Sequence, residues 1–308
     1  MVCRGRETMM TKEVTMDAKD GEIIGVIGGS GIDELEGLQN VRRERITTPF
    51  GEASDEVTLA QLGQQDLVFL PRHGKGHRIP PSQINFCANI YALKMLGCTQ
   101  IISLSAVGSL KEELSPGTFV LVDQFIDRTF GRRKSFFDTG LVGHVSLGDP
   151  VCKRLRTRLF SASKAAGVEA VNGGTYLAME GPQFSTRAES NLYRSWGCDV
   201  IGMTNMPEAK LAREAEICYA TVAMVTDYDC WHPEHEDVTV EAILQVLMSN
   251  SAKACALVQQ AVPHTLEDRF PCPHGCRTAL DDALVTSPDH RDKEQLSKLD
   301  FLLKRGRS

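Results

Sequence analysis

Strand-like apolar runs alternate with helix-like stretches along most of this chain, and no other property narrows its fold as much. From about Glu22 the segments Glu22–Ile27, Val57–Leu62, Leu67–Leu70, Thr99–Ala106, Thr118–Val122, Tyr176–Met179, Val200–Met203 and Ile217–Val225 have the length and apolar content of strands. Between them, Ser82–Leu96, Pro150–Ala166, Arg187–Trp196, Pro207–Ala215 and Val238–Val262 read as helices, with Gly97 and Gly197 as stops and Pro207 in a first turn. Val57–Leu62 and Leu67–Leu70 form a hairpin around Gly63-Gln64-Gln65. The pattern predicts an α/β fold, a mixed and mostly parallel central sheet flanked by helices. No repeat and no shift in composition divides the 308 residues. We therefore expect a flexible N-terminal arm at 1–20, one domain at 21–290, and a C-terminal tail at 291–308 with a short helical pattern at Leu296, Leu299, Phe301 and Leu302.

The overall charge excludes some partners. A net charge of -6 and a pI near 5.8 argue against nucleic acid and against an anionic membrane surface, both of which need a basic footprint. The N-terminal segment has no apolar stretch of the kind a secretory signal carries. The ten cysteines are scattered, which fits a reducing, cytoplasmic setting, with nuclear presence left open. Cys272, His274 and Cys276 have ligand-like spacing, but no second spaced pair stands nearby, so no metal is expected. His232 and His235 beside Asp229 are separated by Pro233, which breaks the helix that would align them.

Chemistry is concentrated at strand ends, where open α/β sheets bind ligands. Asp227 and Asp229 follow the apolar run Ile217–Val225. Both residue types also cap helices and turns. At a strand end, however, a protonated carboxyl can donate to a ring nitrogen and an ionised one can accept from an exocyclic amine. That equipment would hold an aminopurine and protonate it as it leaves. Gly28-Gly29-Ser30-Gly31 offers backbone N–H groups and a hydroxyl to an anion. A dinucleotide site would require an acid after the second strand, and Arg45-Ile46-Thr47-Thr48-Pro49 supplies none. Arg72 and His73, after Leu70-Pro71, place a guanidinium fork and an imidazole donor at a strand end. Ser105 and Ala106, Met203 and Thr204, and Phe184 and Ser185 occupy comparable ends or turns.

These segments together resemble the methylthioadenosine phosphorylase branch of the trimeric purine nucleoside phosphorylase family. The likeness covers about Glu22 to Val262. It rests on Ile27–Gly31, Pro71–Gly74, Ala88–Lys94, Asp123–Thr129, Glu180–Ser190, Met203-Thr204, Pro207-Glu208 and Thr226–Trp231. The resemblance implies a phosphate site at Ser30, Arg72, His73, Ser105, Ala106 and Thr204, and a ribose contact at Met203. It implies base contacts at Phe184, Ser185, Asp227 and Asp229, with Asp227 catalytic. It also implies an apolar wall for a 5′-methylthio group at Val240, Ile243 and Leu244, completed by His77, His144 and Leu284, the last two from a neighbouring subunit. Two positions depart from animal relatives, where Cys often stands at Val107 and Asn at Gly202. The segment from Pro263 onward, with Cys272 and Cys276, looks more like microbial relatives.

The activity so implied is phosphorolysis of 5′-methylthioadenosine to adenine and 5-methylthioribose 1-phosphate, a reaction of purine and methionine salvage. It implies a homotrimer, phosphate as co-substrate and no cofactor. The alternative within the family is a phosphorylase for methylthioinosine or other 6-oxopurine nucleosides, whose members usually carry Asn at the place of Asp227. Outside it stand a dinucleotide-dependent oxidoreductase, opposed by the missing acid, and a non-catalytic nucleoside sensor.

Overall fold

A strand covered on both faces is mostly apolar, and the run that ends in the two aspartates is such a strand, paired on both edges within the sheet. The structure, a computed structural model, describes residues 23–29, 35–233, 240–263 and 272–303. Its strands are β1 (Ile23–Gly28), β2 (Leu38–Glu44), β3 (Thr47–Thr48), β4 (Gly51–Glu52), β5 (Val57–Leu62), β6 (Gln65–Pro71), β7 (Cys98–Ser109), β8 (Phe119–Leu121), β9 (Gln124–Asp127), β10 (Ala170–Asn172), β11 (Thr175–Ala178), β12 (Val200–Gly202) and β13 (Cys218–Asp227). The helices are α1 (Phe86–Met95), α2 (Lys153–Ala165), α3 (Arg187–Ser195), α4 (Asn205–Glu214), α5 (Val240–Ala261), α6 (Lys293–Lys298) and α7 (Asp300–Leu303). The N-terminal arm expected at 1–20 lies outside the described residues.

All but the short β3–β4 pair join one mixed sheet of order β10-β8-β13-β7-β1-β6-β5-β2, with β9, β11 and β12 branching from it. Its centre is parallel: β13 with β7, β7 with β1, and β1 with β6. Period-two alternation assigns the two faces of β13. Tyr219, Ala223 and Val225 pack into a core with α1, α4 and the C-terminal segment. Cys218, Ala220, Val222 and Met224 pack into a second core with α2 and α5. The result is a single α/β domain, helices on both faces of a mixed sheet.

The branch is what builds the site. Most of β7 lies between β1 and β13, but its last residues, Gly108 and Ser109, pair antiparallel with Ile201 and Val200 of β12. Gly108 also opposes Asp227 of β13. A Cβ at Gly108 would lie 2.9 Å from Asp227 Oδ1 and 3.2 Å from Ile201 Cγ2, so only glycine lets three strand ends converge there.

Some elements differ from the sequence reading. Ser82–Leu96 is not one helix: a 3₁₀ turn at Pro81–Gln83 precedes α1, whose start is fixed by Asn85 accepting from the Ala88 N–H. The strand β2 carries Gln39, Asn40, Arg42 and Arg43 on an exposed edge, a polar composition that hid it. The segment after 290 is continuous with the main core. Leu299 and Leu302 are buried in it, and the Tyr91 hydroxyl donates to the Lys298 carbonyl at 2.9 Å. No helix among the described residues is long and apolar enough to cross a membrane.

Candidate active site

Asp227 ends β13 half-buried, and Asp229 follows it buried, in the left-handed region at φ 52°. The turn is closed locally: the Asp229 N–H donates to Asp227 Oδ1 at 2.8 Å, and the Thr226 hydroxyl donates to Asp227 Oδ2 at 2.6 Å. Burial pushes the Asp227 carboxyl above its ordinary value, against those two donors, which favour the ionised form. Burial also raises Asp229, helped by the neighbouring Asp227 charge and opposed by the Ser190 and Ser185 hydroxyls. Among the described residues Asp229 Oδ2 is buried with no hydrogen-bond partner. Leaving such an acceptor unmet costs about 1–3 kcal/mol, which a ligand N–H reaching it would offset.

Trp231 pins the far side of this turn by donating from Nε1 to the Ser109 carbonyl at 2.8 Å, with Arg194 stacked 3.5 Å above its ring. His232 pairs with Glu112 at 3.0 Å, so the pairing with His235 considered from the sequence is not needed to explain it; His235 lies outside the described residues.

The expected anion-binding residues meet on the next strand ends. Ser105 and Thr204 are buried with hydroxyls 3.4 Å apart, and Ala106 between buried neighbours is exposed. Thr204 is the residue before α4, yet its side chain makes no capping bond, which leaves its hydroxyl turned to Ser105. Arg72 is buried and largely engaged. Nε and Nη2 grip the Glu208 carboxylate at 2.8 and 3.1 Å, Nη2 also donates to Ser103 Oγ, and Nη1 donates to the Leu104 carbonyl. Burial works against the guanidinium charge, but Glu208 outweighs it and holds Arg72 above its ordinary value. Of its five N–H donors this leaves one on Nη1. Ser30 lies outside the described residues.

His73 differs from its expected part as a donor. Its Nδ1 lies 2.9 Å from the Ile79 carbonyl, which only accepts, so Nδ1 carries the proton. Burial and the Arg72 charge push its pKa down to about 4, so at neutral pH Nε2 is an acceptor. His77 stacks on it, ring centroids 4.1 Å apart.

Ser185 is buried and Phe184 is exposed, beside Asp229 in the loop that leads to α3. Gly181, at φ 68°, lies against Met203; a Cβ there would be 2.5 Å from Sδ. Val240, Ile243 and Leu244 belong to the backbone of α5, and their side chains lie outside the described ones. His144 and Leu284 lie in two short stretches that run side by side outside the named strands. The His144 N–H donates to the Ala283 carbonyl, Gly143 bridges Leu284, and His144 lines a surface cavity of about 410 Å³ with Phe137, Val142 and Lys210.

Two residues escaped the sequence reading. The buried Tyr176 hydroxyl lies 3.2 Å from Ser105 Oγ and fills the space a side chain at 202 would need, which accounts for Gly202. Arg132, also buried, donates from Nη1 to the Met203 and Met206 carbonyls and from Nη2 to that of Glu180, tying two loops of the site together. Neither stands at the end of an apolar run, the signal that exposed the others.

The chain as a whole has known relatives. The phosphorylase superfamily profile matches residues 23–263. An S-methyl-5′-thioadenosine phosphorylase of Rhodospirillum rubrum is 56% identical over 278 residues, 90% of this chain and 94% of that one. A crystal structure of a methylthioadenosine phosphorylase from an antarctic soil metagenomic library superposes with a TM-score of 0.88 at 46% identity, covering 93% of this chain and 100% of the other. A Schistosoma mansoni adenosine/methylthioadenosine phosphorylase variant, solved with methylthioadenosine, gives a TM-score of 0.76 at 35% identity over 85% of this chain and 99% of its own. On profile, sequence and fold alike, this chain belongs to the phosphorylase superfamily, in its methylthioadenosine phosphorylase branch.

Proposed function

We infer that this chain cleaves 5′-methylthioadenosine with inorganic phosphate, releasing adenine and 5-methylthioribose 1-phosphate. The observation that carries the reading is the carboxyl pair at the end of β13: Asp227 with a raised pKa and, two residues on, Asp229 with a buried oxygen that has no partner among the described residues. An adenine supplies the complementary groups, an amine for Asp229 and a ring nitrogen for Asp227. A 6-oxopurine presents a carbonyl oxygen where the amine would be, and an ionised carboxylate repels it.

In the reaction we propose, phosphate lies beneath the ribose against the remaining Nη1 donor of Arg72, the Ser105 and Thr204 hydroxyls, the Ala106 backbone and Ser30. His73 Nε2, held neutral, accepts a hydrogen bond from a phosphate hydroxyl. A phosphate oxygen bonds to C1′ as the bond from C1′ to N9 breaks, through a cation-like ribosyl group. The electron pair moves into the purine, and Asp227 delivers a proton to N7. General-acid assistance of this kind is worth roughly 100- to 10,000-fold. Met203 lies along the sugar, and Phe184 and Ser185 flank the base. Val240, Ile243, Leu244 and His77 wall the 5′ group. His144 and Leu284 complete that wall for a neighbouring copy in a cytoplasmic homotrimer. The step balances with phosphate as the sole co-substrate.

Adenine release from 5′-methylthioadenosine, with and without phosphate, tests this beside methylthioinosine and inosine. Phosphate-dependent adenine release with little turnover of the oxopurines is expected. Preferential turnover of methylthioinosine or inosine would overturn the base assignment, and no turnover of any of the three would overturn the enzyme reading.

A further inference from the structure

At the opposite end of β13 from the aspartates, four cysteines converge. Cys152 is the residue before α2, Cys218 opens β13, and Cys272 and Cys276 flank the turn Pro273-His274-Gly275. Their sulfurs all lie within 4.8 Å of one another, and all four residues are buried, the most open at 7%. Cys152 Sγ and Cys272 Sγ are 3.6 Å apart. Zinc bonds to thiolate at about 2.3 Å, so a tetrahedron of four sulfurs has edges of roughly 3.8 Å. The local sequence offered only Cys272 and Cys276 and lacked a second spaced pair; the fold supplies it from residues 54 to 124 positions away.

Packing alone does not explain the cluster. A free buried cysteine behaves as a small hydrophobe, and among the described residues the other buried cysteines, Cys87, Cys98 and Cys198, pack with apolar side chains. Here four sulfurs instead face one point. The turn between Cys272 and Cys276 is built to present both: Gly275 adopts φ 67° and its N–H returns to the Cys272 carbonyl. Arg154, two residues after Cys152, brings Nη2 to 3.9 Å from Cys218 Sγ, a cation where a tetrathiolate metal centre would carry excess negative charge.

We propose that Cys152, Cys218, Cys272 and Cys276 form a tetrathiolate site for a structural zinc ion. On binding, the four thiols lose their protons to solvent and four sulfur–zinc bonds form, with no change of oxidation state. Closed on all four sides by protein sulfur, the ion has no open position for substrate, and its part is mechanical. It ties the segment beginning at Cys272 to the start of β13 and to α2. From there that segment runs on: the Leu280 N–H donates to Glu216, Leu284 bridges Gly143, and Leu302 reaches the main core. The proposal is independent of the reading of the active site.

The test is the metal content of the full chain, produced in a reducing cytosol and purified without chelator. About one zinc per chain is expected, released as an organomercurial titrates the thiols, and lost at least ~10-fold in Cys272→Ser and in Cys276→Ser but kept in Cys98→Ala. Should the serine variants fail to fold, cobalt(II) exchanged into the unaltered chain decides the matter through the ligand-field and sulfur charge-transfer bands of a tetrahedral tetrathiolate. Three results would each overturn the proposal: a chain that takes up no zinc or cobalt under reducing conditions, an intact mass showing disulfides among these residues after purification under reductant, or full zinc retention in Cys272→Ser/Cys276→Ser.

Discussion

The two ends of β13 gather chemistry in opposite ways. At its last residue, Asp227 and Asp229 are neighbours in sequence, placed by a tight local turn and left with an oxygen that has no partner among the described residues. At its first residue, Cys218 meets three sulfurs brought from distant parts of the chain, all enclosed. The open end suits a group that comes and goes. The closed end suits one that stays. One rigid strand, buried from Cys218 to Thr226, separates reversible binding from permanent fastening.

If that division holds, changes at one end should alter turnover and changes at the other should alter stability. The largest effect expected is from Asp227→Asn, which should lower the rate of adenine release roughly 100- to 10,000-fold and raise the relative rate on inosine, with thermal unfolding little changed. In the proposed reaction Asp227 acts protonated, so the unaltered enzyme should lose kcat/KM as pH rises through its raised pKa, and the variant should lack that limb; steady-state rates across pH would show it. Gly108→Ala should push the Asp227 carboxyl from its position and cost about 100-fold in kcat, since misplacement of about 1 Å has that scale. At the other end, Cys218→Ser should lower Tm by about 10 °C or more, while kcat per folded molecule stays within about twofold. Differential scanning calorimetry beside initial rates separates the two ends, and a Cys218 variant that loses turnover at unchanged Tm would break the comparison.

Two smaller effects sharpen the open end. His73 has a depressed folded pKa of about 4, so between about 6.5 and 4 the unfolded chain binds a proton that the folded chain refuses. Stability is therefore fully present above that window and is lost as pH falls through it. His73→Asn should flatten this slope by on the order of 2 kcal/mol, below the full linkage value because the ring is partly exposed; denaturant midpoints at pH 7 and pH 4.5 measure it. Tyr176→Phe removes one hydroxyl beside Ser105 and should raise the KM for phosphate about fivefold, with kcat unchanged, as expected for about 1 kcal/mol of hydrogen bonding.

The sequence made one end of β13 far more legible than the other, for a physical reason. Asp227 and Asp229 could be read because a strand that is buried on both faces is mostly apolar, and charged residues at its exit stand out. Ser105, Thr204 and Arg72 were legible by the same rule. Tyr176 and Arg132 were not, since each reaches the site from the side through contacts that only tertiary structure sets. The cysteine cluster was half visible, as Cys272 and Cys276. Its other half depends on the register that brings the start of β13 beside the start of α2, where the Cys152 N–H donates to the Tyr219 carbonyl. Strands such as β2 escaped because an exposed edge need not be apolar, so periodicity carries no signal there.

The ion pair under the proposed phosphate floor has a consequence for selection among anions. Arg72 is matched by Glu208, and His73 is neutral at ordinary pH, so these three side chains sum to no net charge before a ligand arrives. Such a floor does not pull in negative ions through a long-range field, which screening by salt would weaken. It selects by shape and by the number of donors and acceptors a tetrahedral oxyanion can satisfy at once, and an anion that carries no proton has nothing to offer His73 Nε2.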